Sequence, residues 1–141
     1  MNSPYQFLAQ AKKSFGFLVE LGFRVKSEHE GTYASFKDGF DCIYSSKNLD
    51  VRVAYYDMEL DIVFMKGRIA APYLFLDHNL YANASGLAGC MFPFEKLGPV
   101  IDRVAKDIEL HYEDVLLGDF AMWQKIDKIV LAPTVRKRFL P

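Results

Sequence analysis

The sequence predicts an α+β fold: an antiparallel β-meander of about five strands, with an N-terminal helix and C-terminal helices packed on one face of the sheet. Apolar residues recur at helical spacing near both ends of the chain, whereas apolar and polar residues alternate with a period of two between them. The turns within the alternating region are short, and short turns join antiparallel neighbours. The chain of 141 residues suits one core, so we expect a single domain over residues 1–141.

The N-terminal helix is predicted over residues 3–21. Ser3 is a suitable N-cap. Pro4 suits the first helical position, because the N–H of that position has no acceptor within the helix and its loss costs nothing. Gly22 is expected to end the helix as a C′ residue. The apolar stripe between these ends consists of Phe7, Leu8, Ala11, Phe15, Leu18 and Val19.

Five strands are predicted in the alternating region, and one turn fixes a register. If Asp57-Met58 is a two-residue turn, then Tyr55 faces Leu60 and their apolar neighbours share one side of the sheet. Arg52 and the other charged residues then lie on the opposite side, next to solvent. The predicted strands cover residues 23–29, 32–37, 40–46, 49–56 and 59–66.

The C-terminal half is predicted to be helical. After Gly67 the alternation weakens, and residues 73–84 fit either a helix or an extended segment. From Glu95 onward, apolar residues again recur every three or four positions. A last helix is predicted over residues 119–130, with Asp119 as its cap.

Sequence signatures of catalysis and metal binding are missing. The chain has no CxxC, HExxH, EF-hand, Walker or GxSxG motif, and its three histidines are far apart in sequence. We therefore predict no catalytic residues, no metal site and no cofactor. The polar triplet Asp77-His78-Asn79 lies within an apolar segment and is interpreted as a turn or helix cap, with a catalytic role as the alternative.

The overall composition predicts a folded cytoplasmic protein. A net charge of −1 implies neither nucleic acid nor an anionic membrane as partner. The longest apolar runs, 69–76 and 87–94, are too short to span a bilayer. Residues 1–13 lack the basic and apolar stretches of a secretory leader. We expect Cys42 and Cys90 to be reduced, buried thiols, since two cysteines form no disulfide framework.

The small net charge conceals two acidic blocks. Residues 27–66 hold eight acidic and four basic residues, and residues 95–119 hold seven acidic and three basic residues. Acidic fields attract basic partners and accelerate association with them. The alternative is that these charges only solvate the protein surface.

One stretch of the chain resembles a known family. The segment FGFLVELGFRVKSEHEGTYASF, followed by LDVRVAYYDMELDIVF, resembles small bacterial immunity proteins of contact-dependent inhibition and polymorphic toxin systems. The resemblance covers residues 15–65. It implies a cytoplasmic protein that binds a cognate toxin domain and has no catalytic residues of its own. Many such toxins are nucleases with a basic cleft, which an acidic surface can block.

The predicted contact residues are acidic, apart from one tyrosine that would serve as an anchor. They are Glu28, Glu30, Tyr33, Asp57, Glu59, Asp61, Glu109, Glu113 and Asp114. A second hypothesis is a small ligand-binding or enzymatic domain, with a pocket around residues 73–94 near His78 and Cys90. A third hypothesis is a structural protein that associates with itself, for example as a homodimer.

Overall fold

A computed structural model describes residues 4–30, 39–87, 89 and 91–130, with the backbone alone described at residues 4–6 and 30. The strands in this part of the chain are β1 (Arg24–Glu30), β2 (Gly39–Ser45), β3 (Asp50–Tyr56), β4 (Glu59–Lys66) and β5 (Ile69–Pro72). The helices are α1 (Pro4–Ser14), α2 (Phe17–Glu20), α3 (Tyr73–Asn79), α4 (Leu97–His111), α5 (Glu113–Leu116) and α6 (Phe120–Val130), and a 3₁₀ turn covers Phe94–Lys96.

The predicted α+β class is confirmed. One antiparallel sheet has the strand order β1-β2-β3-β4-β5 and is accompanied by N-terminal and C-terminal helices. The predicted register of the β3–β4 hairpin is also confirmed, with Tyr55 opposite Leu60 and Val53 opposite Ile62. Strict alternation along both strands is sufficient to fix this register.

The pairing of the first strand differs from the prediction. Residues 32–37, predicted as a strand, lie outside the described residues. The strand predicted at 23–29 is present as β1, but it pairs directly with β2, with Glu30 opposite Phe40. The prediction that another strand separates these two was therefore wrong, whereas the predicted turn at Glu30-Gly31 extends beyond the described residues and stays a prediction. The fifth strand of the sheet is instead β5, whose four residues are too few to show an alternating pattern.

The N-terminal helix is interrupted, which the sequence analysis did not predict. A single helix over residues 3–21 was wrong, because α1 ends at Ser14 and a short α2 follows from Phe17. Gly16 lies at the break and starts α2. The predicted end is confirmed, since Gly22 has a φ of +93°, a conformation that glycine adopts without strain.

The C-terminal helices agree more closely with the prediction. Of the segment 73–84, only residues Tyr73–Asn79 are helical. The predicted cap of the last helix is confirmed, because the backbone N–H of Met122 donates to Asp119 Oδ1 at 2.8 Å.

The core lies between one face of the sheet and the helices. Phe7 of α1 packs edge-on against Phe94, with ring centroids 4.0 Å apart. At the other end of the sheet, Phe64 of β4 stacks on Tyr112, which directly follows α4. Buried residues of the sheet, of α1 and of α4 to α6 belong to one hydrophobic cluster. The opposite face of the sheet carries Asp41, Arg52 and Asp61, and the candidate site lies at its edge.

Candidate functional site

The turn between β3 and β4 is conformationally unusual. Asp57 and Met58 have φ values of +49° and +69°, as the two central residues of a type I′ hairpin turn require. Asp tolerates this left-handed region, but an unbranched bulky side chain such as Met rarely occupies it. The side chain of Met58 is nevertheless 46% exposed and contributes little to the core. The backbone strain at Met58 is thus not explained by packing of its side chain in the core.

A second exposed methionine lies beside this turn. The N–H of Phe92 donates to the carbonyl oxygen of Met58 at 2.8 Å, and Met91 forms an isolated bridge with Glu59. The Tyr55 hydroxyl donates to the Phe92 carbonyl oxygen at 2.7 Å and fixes the segment from the core side. Met91 is 59% exposed. We call the surface formed by Asp57, Met58, Glu59, Asp61 and Met91 the hairpin tip.

Arg52, which lies near the hairpin tip, already binds another carboxylate. Arg52 Nη2 lies 3.1 Å from Asp41 Oδ2, and the Tyr56 hydroxyl donates to the same oxygen at 2.8 Å. The guanidinium group also lies 5.7 Å from the centroid of the Tyr56 ring. Burial and the hydrogen bond to Asp41 raise the pKa of Tyr56 to about 12, so the phenol stays protonated at neutral pH.

Asp61 lies on the same face without a direct partner. It is opposite Ala54 in the ladder and half-buried, and its carboxylate has no hydrogen bond or ion pair among the residues that the structure describes. Burial raises the pKa of the Asp61 carboxyl group. The negative charge of Glu59 acts in the same direction, and the positive charge of Arg52 acts against both. The Asp61 carboxylate is therefore partly desolvated, and the Arg52 guanidinium group that acts on it is already paired with Asp41.

A pocket of about 320 Å³ opens next to Asp61. It lies at the edge of β4 where β5 stops, because β5 pairs only with the stretch from Val63 to Lys66. The lining is mostly apolar, and Glu59 and Asp61 are its only charged residues among those that the structure describes. The other lining residues are Leu60, Ile62, Val63, Ala70, Pro72, Tyr73, Leu74, Leu87, Gly89, Phe92 and Val104.

The nine predicted contact residues do not form one surface. Asp57, Glu59 and Asp61 come together at the hairpin tip. Glu28 lies instead beside α1, where its carboxylate is 3.0 Å from Lys12 Nζ. The side chain of Glu30 is not described, and Tyr33 lies outside the described residues.

The remaining three predicted contact residues lie toward the opposite end of the sheet. Glu109, Glu113 and Asp114 belong to the end of α4 and to α5. Gly118, which follows α5, packs against Asn48 in the β2–β3 turn. That turn and the hairpin tip lie at the two ends of β3, so the two acidic groups face different ends of the sheet.

The polar triplet Asp77-His78-Asn79 forms the end of helix α3, rather than the turn or cap predicted for it. Asp77 is buried and accepts hydrogen bonds from the Ser85 N–H at 3.0 Å and the Ser85 hydroxyl at 2.7 Å. His78 is exposed and does not line the pocket; its Nδ1 lies 3.2 Å from Asn83 Oδ1. The ligand-binding hypothesis placed the pocket near residues 73–94. Tyr73, Leu74, Leu87, Gly89 and Phe92 do line it, whereas His78 does not.

Metal and membrane features are equally sparse in the described part of the chain. Residues 4–30, 39–87, 89 and 91–130 contain no group of three or more His, Cys, Asp or Glu side chains able to hold a metal ion. No helix within these residues combines the length and apolar character needed to cross a bilayer. Cys42 is a free, buried thiol, as predicted, and Cys90 lies outside the described residues.

Sequence reasoning missed Met58 and Met91, and its alternative hypothesis placed the pocket around residues 73–94 without the β4 residues that also line it. The sequence signal for the turn was Asp57, which favours left-handed conformations, but nothing marked the methionine after it as exposed. Comparisons of the chain with protein-family profiles, with curated proteins and with solved structures found no match.

Proposed function

We propose that this chain is an immunity protein, which binds a cognate bacterial toxin domain in the cytoplasm and neutralises it. The toxin is proposed to be a nuclease whose basic active site is blocked by the hairpin tip. The single observation that carries the proposal is the composition of this tip. A strained turn and the segment beside it present two exposed methionines among three carboxylates, and the nearby Arg52 is bound to Asp41.

The hairpin tip has the chemistry of a protein interface. Methionine is enriched at such interfaces because its flexible thioether adapts to a partner surface. Asp57, Glu59 and Asp61 supply negative charge around this apolar centre, which accelerates association with a basic partner. The rigid two-residue turn keeps the ordering cost of binding low.

The proposal predicts that a toxin is encoded beside this chain, and it is tested with the purified C-terminal domain of that toxin. We expect a dissociation constant on the order of 1 nM at low salt, as in tight protein–inhibitor pairs. Affinity should fall steeply with ionic strength, because exposed charges are screened by salt. Absence of binding, or binding that does not change with salt, would contradict the proposal.

Met58→Gly tests whether the tip itself forms the contact. Glycine fits the left-handed turn, so this variant keeps the hairpin while removing the side chain. We expect at least a tenfold loss of affinity, the size of effect seen for an interface anchor. Asp119→Asn is the control, because it removes an exposed charge far from the tip and still caps α6. If Glu113→Gln weakens binding and Met58→Gly does not, the contact lies at α5 and the proposed surface is wrong.

A further inference from the structure

We propose that the pocket beside Asp61 binds a small molecule with an apolar body and one protonated amine. The pocket lies between β4, α3 and α4, and it shares Glu59 and Asp61 with the hairpin tip. A pocket of about 320 Å³ is at the lower end of the size range of small-molecule sites. It suits a body of one aromatic ring or a short hydrocarbon chain.

The walls of the pocket determine which part of a ligand is apolar. Leu60 and Ile62 face the core side of the β4 edge, and Val104 of α4 is almost fully buried behind them. Leu74 and Leu87 complete the apolar lining. The hydroxyl of Tyr73, which also lines the pocket, donates to Asp107 Oδ2 at 2.6 Å and is committed there. The described walls thus offer mainly surface for hydrophobic contact.

The carboxylates that line the pocket determine that the polar group of a ligand should be positively charged. Asp61 has no direct ion pair among the described residues, and Glu59 adds a second negative charge to the lining. Arg52, whose positive charge acts on Asp61, is held by three contacts to Asp41. An ammonium group in the pocket would supply the partner that Asp61 lacks, while a carboxylate ligand would be repelled. The raised pKa of Asp61 is consistent with the lack of a cationic partner. Burial destabilises the charged carboxylate more than the positive charge of Arg52 stabilises it.

Three probes with the same phenyl body separate the contributions of shape and charge. Phenethylamine, phenethyl alcohol and hydrocinnamate are titrated into the purified protein and followed by NMR chemical shifts. We expect phenethylamine to bind with a dissociation constant on the order of 1 mM, as its small size allows. The alcohol should bind about tenfold more weakly, because a charge-assisted contact is replaced by a neutral one. Hydrocinnamate should not bind.

Two variants assign the binding to this pocket. Asp61→Asn should weaken phenethylamine about tenfold and leave the alcohol unchanged, whereas Ala70→Leu should fill the pocket and weaken both. Asp119→Asn, which removes a distant charge, should change neither. Trp123 fluorescence checks that each variant is folded, and if Asp61→Asn does not fold, Ala70→Leu still assigns the site.

The proposal is overturned if phenethylamine does not bind, if it binds no better than the alcohol, or if Asp61→Asn binds it as tightly as the native chain. It is also overturned if Ala70→Leu is folded and binds it unchanged. The outcome is independent of the toxin experiment, because no toxin domain is present.

Discussion

Met58 occupies a left-handed conformation that a residue with a β-carbon adopts at a cost of about 1 to 2 kcal/mol. We expect Met58→Gly to raise the free energy of unfolding by about 0.5 to 1 kcal/mol, since part of the relieved strain is offset by the greater flexibility of glycine in the unfolded chain. Urea denaturation monitored by circular dichroism measures this change. Met58→Ala keeps the β-carbon and should not stabilise the protein. A Met58→Gly variant that is less stable than the native chain would contradict the strain argument.

Asp61 should also reduce stability at neutral pH. Its pKa is raised in the folded state, so the folded chain binds more protons than the unfolded chain as the pH passes between the two values. The contribution of Asp61 is therefore most favourable below its unfolded pKa and is lost as the pH rises through its folded pKa.

The expected consequence is that Asp61→Asn stabilises the protein at about pH 7, by roughly 0.5 to 1 kcal/mol. The difference between variant and native chain should shrink towards about pH 3, where the carboxyl is protonated in both states. Urea denaturation at both pH values measures it. A variant that is less stable at the higher pH would show that Asp61 has a stabilising partner.

These residues also show which structural features a local sequence pattern can predict. The pairing of Tyr55 with Leu60 was predictable because alternation and a two-residue turn are local properties. The pocket beside Asp61 was not, because it is lined by Pro72, Leu87 and other residues brought beside β4 from later in the chain. Side-chain environment is a property of tertiary packing, which a single strand pattern does not encode.

At the level of secondary-structure elements, α6 depends on its cap. Asp119 Oδ1 accepts the Met122 N–H at 2.8 Å and satisfies one of the free donors of the first turn. We expect Asp119→Ala to lower the free energy of unfolding by about 1 kcal/mol, and Asp119→Asn to change it by a few tenths at most. Chemical denaturation of both variants measures the difference. Equal losses for Ala and Asn would assign the effect to charge rather than to capping.

The elements that the sequence did not predict share one physical property. β5 has four residues, and the break between α1 and α2 involves only a few, so neither extends over enough positions to show a period. Long elements such as β4 and α4 were predicted because many side chains repeat the same pattern. The pocket arises from the shortness of β5, which leaves part of the β4 edge without a strand partner, and therefore it too was beyond the reach of periodicity.

At the scale of the whole molecule, the fold places the two acidic blocks of the sequence at different ends of the sheet. The acidic residues of the hairpin tip and those of α5 face opposite ends of the sheet, although each block alone was visible in the sequence. A basic partner at the tip would therefore be attracted mainly by the carboxylates near it, since charges farther than about 10 Å are largely screened at 0.1 M salt. The net charge of each acidic block predicts that a partner would be basic, but only the topology of the sheet shows where on the molecule it would bind.

The core connects the C-terminal helices to the sheet, and this predicts cooperative unfolding. Trp123 of α6 is the only tryptophan of the sequence, and its indole N–H donates to the Val115 carbonyl oxygen at 2.9 Å. Ile126 and Val130 of the same helix belong to the hydrophobic cluster that includes the sheet. We expect Trp123 fluorescence and far-ultraviolet circular dichroism to give the same urea midpoint, because α6 cannot detach without exposing that cluster.

The variant Asp119→Ala distinguishes a cooperative core from a helix that unfolds alone. If the whole core unfolds in one step, loss of the α6 cap must shift both signals by the same amount, although the fluorescence reports locally on α6 and the dichroism on all elements together. A fluorescence midpoint that moves to lower urea while the dichroism midpoint stays would mean that α6 opens as a separate unit. In that case the contacts of Ile126 and Val130 would be too weak to couple α6 to the sheet.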